Sequence, residues 1–152
     1  MVNIVLVHPQ IPPNTGNIGR LCVNIGATLH LVRPLGFDLS QKQLRRAGLD
    51  YWDKLDYRLW DDMDLLLASV PAEANCYFAT TKTKRNYFEP AYQKGDYLFF
   101  GSETQGLDAA LLQRYENSCV TIPMTKQGRS LNLSVSAGII AYEALRQNYH
   151  LL

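Results

Sequence analysis

Long apolar runs are missing from this chain, and no stretch approaches the roughly 20 apolar residues that a membrane-spanning helix needs. The first residues also lack a basic segment leading into a long apolar one, so no signal peptide is read and a cytoplasmic location is expected. Cysteine is scarce: Cys22, Cys76 and Cys119 are odd in number, far apart and each set among apolar residues. That excludes a disulfide framework and predicts core thiols in a reducing compartment. The three histidines, His8, His30 and His150, have no carboxylate or cysteine at metal-ligand spacing, and HExxH, paired CxxC and phosphate-loop patterns do not occur. No metal is expected. Charge is low as well, at 19% of residues and a net of +1, which argues against disorder and against a uniformly basic nucleic-acid binder.

The chain does have enough apolar residues, 47% of 152, to build the core of one domain over residues 1–152. Its apolar segments alternate in kind. Residues 2–7, 28–32, 56–60, 75–81, 96–101 and 119–123 read as strands. Residues 16–25, closed by Gly26, read as a helix, as do 40–48, 61–70 and 132–148. Strands alternating with helices predict an α/β fold, a mostly parallel sheet covered by helices on both faces, with ligands at the carboxyl ends of the strands.

Three polar loops follow strands. In "IPPNTGNIGR" the prolines stiffen the entry, Asn14 or Thr15 is placed to cap the next helix, and amides freed there would suit an anion. A dinucleotide fingerprint needs glycines two and then three apart, whereas Gly16 and Gly19 are only three apart and prolines stand where its tight turn should be. In "GSETQGL" two glycines bracket a polar turn, and their spacing around Ser102 is not that of a nucleophile elbow. In "PMTKQGRSLNLS" a polar string leads into the longest helix, capped by Ser130 or Asn132. Lys42, Arg45 and Arg46, then Lys82, Lys84 and Arg85, then Lys126 and Arg129 form basic clusters, either solvated faces or a phosphate-facing surface.

The segments "IPPNTGNIGRLC", "LRRAGLDYW", "DYLFFGSETQGL", "IPM" and "RSLNLSVSAGIIAYEALRQ" together resemble the SPOUT methyltransferases. The likeness is closest to the single-domain subfamily that methylates the ribose 2′-oxygen of the tRNA wobble nucleotide. It covers nearly the whole chain in order. It implies a deep C-terminal trefoil knot, a homodimer and S-adenosylmethionine as methyl donor. Carried over residue by residue, it implies that Ala79, Thr80, Gly101, Glu103, Ile122, Met124, Ser130 and Leu131 hold the donor. Gly101 would be a glycine so that backbone can approach the donor. Arg20 would activate the 2′-hydroxyl, with Asn14, Ser130 and Asn132 positioning it, and Tyr142 matches a residue tied to activity. The basic clusters at Lys42, Arg45 and Arg46 and at Lys82, Lys84 and Arg85 would grip a tRNA anticodon stem-loop. Another RNA, such as ribosomal RNA, and a module that binds RNA or donor without catalysis stay open as alternatives.

Overall fold

The structure, a computed structural model, describes residues 1–39 and 51–151. The helix expected over 40–48, with Lys42, Arg45 and Arg46, lies outside the described residues. Six strands, β1 (Asn3–Val7), β2 (Thr28–Val32), β3 (Tyr57–Trp60), β4 (Cys76–Ala79), β5 (Tyr97–Phe100) and β6 (Cys119–Val120), form one sheet in the order β3-β2-β1-β5-β4-β6. Every pairing is parallel. The chain steps from β1 outward to β2 and β3, while β5, β4 and β6 lie on the other side of β1. Loops leaving β1 and β5 therefore diverge at one point, where open α/β sheets bind ligands.

Alternate strand residues supply the two cores. Ile4, Leu6, Leu29, Leu31, Leu98 and Phe100 pack with Ile18, Cys22 and Ile25 of α1 (Pro12–Ile25) and with Ala137, Ile140, Ala141 and Ala144 of α4 (Leu133–Gln147). Val5, Val7, Val32, Phe78 and Phe99 pack on the opposite face against Leu66 of α2 (Met63–Ser69) and Leu112 of α3 (Ala109–Arg114). Period-two alternation with both faces apolar is what covers a parallel sheet on two sides. The expected layering holds. The six-residue α3 was not foreseen.

The last strand is held in an unusual way. Thr80 donates its backbone N–H to Val120 O (3.0 Å), Thr121 N donates to Arg85 O (2.8 Å), and Tyr87 N donates to Thr121 O (2.9 Å). Val120 and Thr121 thus run between the two arms of the single loop 80–87. A chain that passes through a loop must make such contacts on both sides.

Two local expectations need correction. The prolines do not delay α1, which begins at Pro12 with both prolines in its first turn and Ile11 at the N-cap. Proline suits that position, because its missing N–H would have no helical partner and its φ is already helical. Asn14 and Thr15 are therefore buried inside the first turn rather than capping it. The prolines also delete two of the free amides expected to bind an anion. At the other long helix, Asn132 is the cap, accepting from Ser134 N (2.8 Å) and Val135 N (3.3 Å).

Candidate active site

A cavity of about 440 Å³ opens at the carboxyl ends of β4, β5 and β6. Its walls include Ala79 at the end of β4 and Thr80 after it, Gly101 and Glu103 after β5, and Ile122, Met124, Ser130 and Leu131 between β6 and α4. All eight residues expected to hold a donor thus line one space. Asn14 from α1 and Asn132 from the α4 cap line it too. The volume falls within the range of small-molecule sites. Apolar walls from Phe100, Ile122, Leu131 and Leu133 suit a flat heterocycle, and the polar loop between Gly101 and Gly106 suits charged and hydroxyl groups.

Gly101 has a different reason to be glycine from the one expected. A Cβ there would lie 2.0 Å from Gly106 C and 2.2 Å from Leu107 N. The turn folds back on its own start, closed by Gly106 N donating to Ser102 O (3.0 Å), with Gly106 at φ +68. Gly101 is required by the loop's own closure.

The three loops meet through side chains. Glu103 Oε1 accepts from Gln10 N (2.9 Å), and Oε2 accepts from Ile11 N and, at 3.4 Å, from Asn14 Nδ2. Asn132 Nδ2 donates to Asn14 Oδ1 (3.0 Å). Thr104 Oγ1 donates to Gln10 Oε1 (2.8 Å). On the far side Gly36 N donates to Pro9 O (2.9 Å), and a Cβ at Gly36 would lie 2.8 Å from Gln10 Cα. The loop after β1 is clamped between the loops after β2 and β5. A carboxylate does bind amides near the start of α1, as the loop reading anticipated for a ligand, but it belongs to the chain itself.

Arg20 and Tyr142 are not among the cavity's lining residues. Arg20 is on α1, its guanidinium 5.3 Å from the centre of the Tyr51 ring, and Tyr51 donates its hydroxyl to Gly16 O. Gly19 leaves room for this segment, since a Cβ there would meet Leu55 and Trp52 at 3.2 and 3.3 Å. Tyr51, quoted in a motif but given no role, is thus the residue that sequence reasoning missed beside Arg20. Its signal was its place at the end of "LRRAGLDY". Lys82 lines the cavity and, with Lys84, a shallower neighbouring hollow of about 560 Å³ beside α3. Arg85 donates to Asn117 O (2.9 Å). Among the described residues no cluster of three or more His, Cys, Asp or Glu side chains is placed to hold a metal ion. Burial pushes the Cys22 thiol up to about 12 and raises Cys119, so both remain protonated core thiols.

Fold and site together define an α/β protein with a small-molecule cavity built by the loops at one end of a parallel sheet. The SpoU rRNA Methylase family matches residues 1–142, and the chain belongs to that family. Membership implies the family's trefoil knot, with which the threaded contacts at Val120 and Thr121 agree. The chain is 47% identical over 149 residues to a tRNA (cytidine(34)-2′-O)-methyltransferase of Burkholderia cenocepacia, covering 97% of this chain and 96% of that one. The protein of the same name from Yersinia pestis is 45% identical, with 97% and 94% covered. A solved structure described as giving insight into 2-OH methylation of C/U34 on tRNA superposes with a TM-score of 0.94 at 43% identity, covering 99% and 97%. An AdoMet-bound rRNA methyltransferase from Sinorhizobium meliloti superposes at 0.85 with 25% identity, covering 99% of this chain and 57% of that one. No helix among the described residues is long and apolar enough to cross a membrane.

Proposed function

We propose that this protein is an S-adenosylmethionine-dependent tRNA methyltransferase that methylates the ribose 2′-oxygen of the nucleotide at position 34, a cytidine or uridine. The observation that carries this reading is the end-to-end similarity to relatives named for that reaction, together with the single cavity in which the three motif loops meet. A ribosomal RNA substrate is less well supported, because the rRNA enzyme matches over only 57% of its own length.

When bound, the donor supplies a methyl group made electrophilic by its sulfonium. The chain's own residues supply position and charge. Asn14 and Asn132, joined across the cavity, orient the acceptor ribose, with Ser130 beside them. A guanidinium does not deprotonate in proteins, so Arg20 acts by stabilising the developing alkoxide rather than as a literal base. The proton leaves to water. Holding the oxygen in line with the methyl group accounts for much of the acceleration. Lys82 on the cavity wall, Lys84 in the neighbouring hollow, Arg85, and the basic segment with Lys42, Arg45 and Arg46 serve the phosphates of the anticodon stem-loop.

The working unit is a homodimer in the cytoplasm. Support comes from α4, where Val135 and Tyr142 are seven residues apart on one face and remain 48% and 53% exposed. Nucleoside mass spectrometry of tRNA from cells with and without the gene tests the activity. The 2′-O-methylated nucleoside at position 34 disappears from the deletion strain and returns with the gene. Unchanged tRNA in the deletion strain overturns the reading.

A further inference from the structure

The carboxylate of Glu103 and the amides of Asn14 and Asn132 form one chain of hydrogen bonds whose direction is set at both ends. At one end Asn132 Oδ1 accepts from Ser134 N (2.8 Å), Ser134 Oγ (2.7 Å) and Val135 N (3.3 Å). Backbone N–H groups only donate, so the Asn132 oxygen must face the helix and its Nδ2 must face Asn14. At the other end Glu103 meets only donors: Gln10 N, Ile11 N and Asn14 Nδ2. An ionised carboxylate only accepts, so Asn14 must turn its nitrogen to Glu103 and its oxygen to Asn132. A flipped Asn14 would set oxygen against carboxylate and nitrogen against nitrogen.

This direction matters for the cavity that both asparagines line. Each amide nitrogen carries two hydrogens and uses one of them within the chain. Both nitrogens therefore keep a second N–H, the group that an oxygen gaining negative charge requires. We propose that Glu103 is a positioning residue for the acceptor ribose rather than a contact for the donor. It latches the loop after β1 through the amides of Gln10 and Ile11. It also sets the polarity that aims an N–H of Asn14 at the ribose oxygen, as the amides at the start of α4 do for Asn132. This inference rests on the methyl-transfer reading above.

The test is Glu103→Gln, which keeps the shape but sets an NH₂ group against at least one donor. On tRNA at saturating donor, kcat falls by about 100-fold. The affinity for S-adenosylhomocysteine, measured by calorimetry, stays within about twofold. Glu103→Asp, still acceptor-only, recovers part of the rate. Because Glu103 acts through Asn14, the double variant E103Q/N14A is no slower than N14A alone. The opposite pattern, weakened S-adenosylhomocysteine binding with kcat retained, or losses that multiply in the double variant, overturns the proposal. If E103Q does not fold, Glu103→Asp alone serves: kcat falls while the affinity for S-adenosylhomocysteine stays within about twofold. The reverse split, weakened S-adenosylhomocysteine binding with kcat retained, overturns the proposal. Failure of the wild type to methylate tRNA would sink the activity itself. Amide exchange at Gln10 and Ile11 reads the latch without RNA, and unchanged exchange in E103Q overturns it.

Discussion

His30 is buried in the middle of β2 with both ring nitrogens engaged. Trp60 Nε1 donates to Nδ1 (3.0 Å), so Nδ1 must be unprotonated, and Nε2 faces Asn3 Oδ1 (3.0 Å). Burial lowers its pKa from 6.5 to about 4, and Arg58 adds to the shift while Asp56 opposes it. The Tyr97 ring closes another side at 5.4 Å. A folded-state pKa below the unfolded one means that the unfolded chain binds the extra proton. The stabilisation is complete above pH 6.5 and lost as pH falls through about 4, in total about 3 kcal/mol. Urea unfolding from pH 7.5 to 4.5 is expected to show this loss, and His30→Gln to flatten it; equal slopes would contradict the account. Arg20 is the other residue that makes a sharp prediction. Arg20→Ala lowers turnover by at least about 100-fold and leaves S-adenosylhomocysteine binding intact, because no donor-cavity wall includes it. A variant with near wild-type turnover removes Arg20 from the mechanism.

The loop after β5 closes on its own start around Gly101. Gly101→Ala places a methyl group inside the backbone of Gly106, which cannot yield as a flexible side chain does. The loop must open, moving Glu103 with it. The variant is expected to lose roughly 1–3 kcal/mol of stability and to bind S-adenosylhomocysteine more weakly, measured by thermal melting and calorimetry. A variant as stable as the wild type would refute the collision. That Gly101 is special was legible from its place between a strand and a polar turn, but the atom it avoids was not. Likewise β1, β2 and α4 were legible because their patterns are strong and long. The two-residue β6 falls within the strand read over 119–123, but its partner β4, some forty residues earlier, is something no local pattern encodes. The six-residue α3 is too short to display a helical period. The proline pair reads as an interruption until one notices that the first turn of a helix is where prolines fit. The donor residues came from motif resemblance alone. The Glu103 latch spans 92 residues to Ile11 and belongs to three-dimensional structure.

At the scale of the whole molecule, α4 decides how two copies would meet. One of its faces, with Ala137, Ile140, Ala141 and Ala144, is in the core. A second is taken by residues 90–92: Gln147 Nε2 donates to Pro90 O (3.1 Å), Gln147 Oε1 accepts from Tyr92 N (2.8 Å), and Asn148 Nδ2 donates to Tyr92 O (2.9 Å). The remaining face presents Val135 and Tyr142, and Tyr149 follows seven residues later, 72% exposed. Such an apolar row on the helix that follows the donor cavity is where a second copy would bury surface. Ser136 lines the cavity, and Tyr142, six residues on, points roughly 120° away from it around the helix. The proposed role of Tyr142 is therefore in assembly. Tyr142→Glu places a charge at the centre of the proposed contact and is expected to shift the protein to monomer in sedimentation, with loss of methyl transfer. Tyr142→Phe keeps the ring and both properties. A dimeric Y142E variant would move the interface elsewhere. A monomeric Y142E variant with full activity would show that one copy suffices, and would leave Tyr142 only its role in assembly.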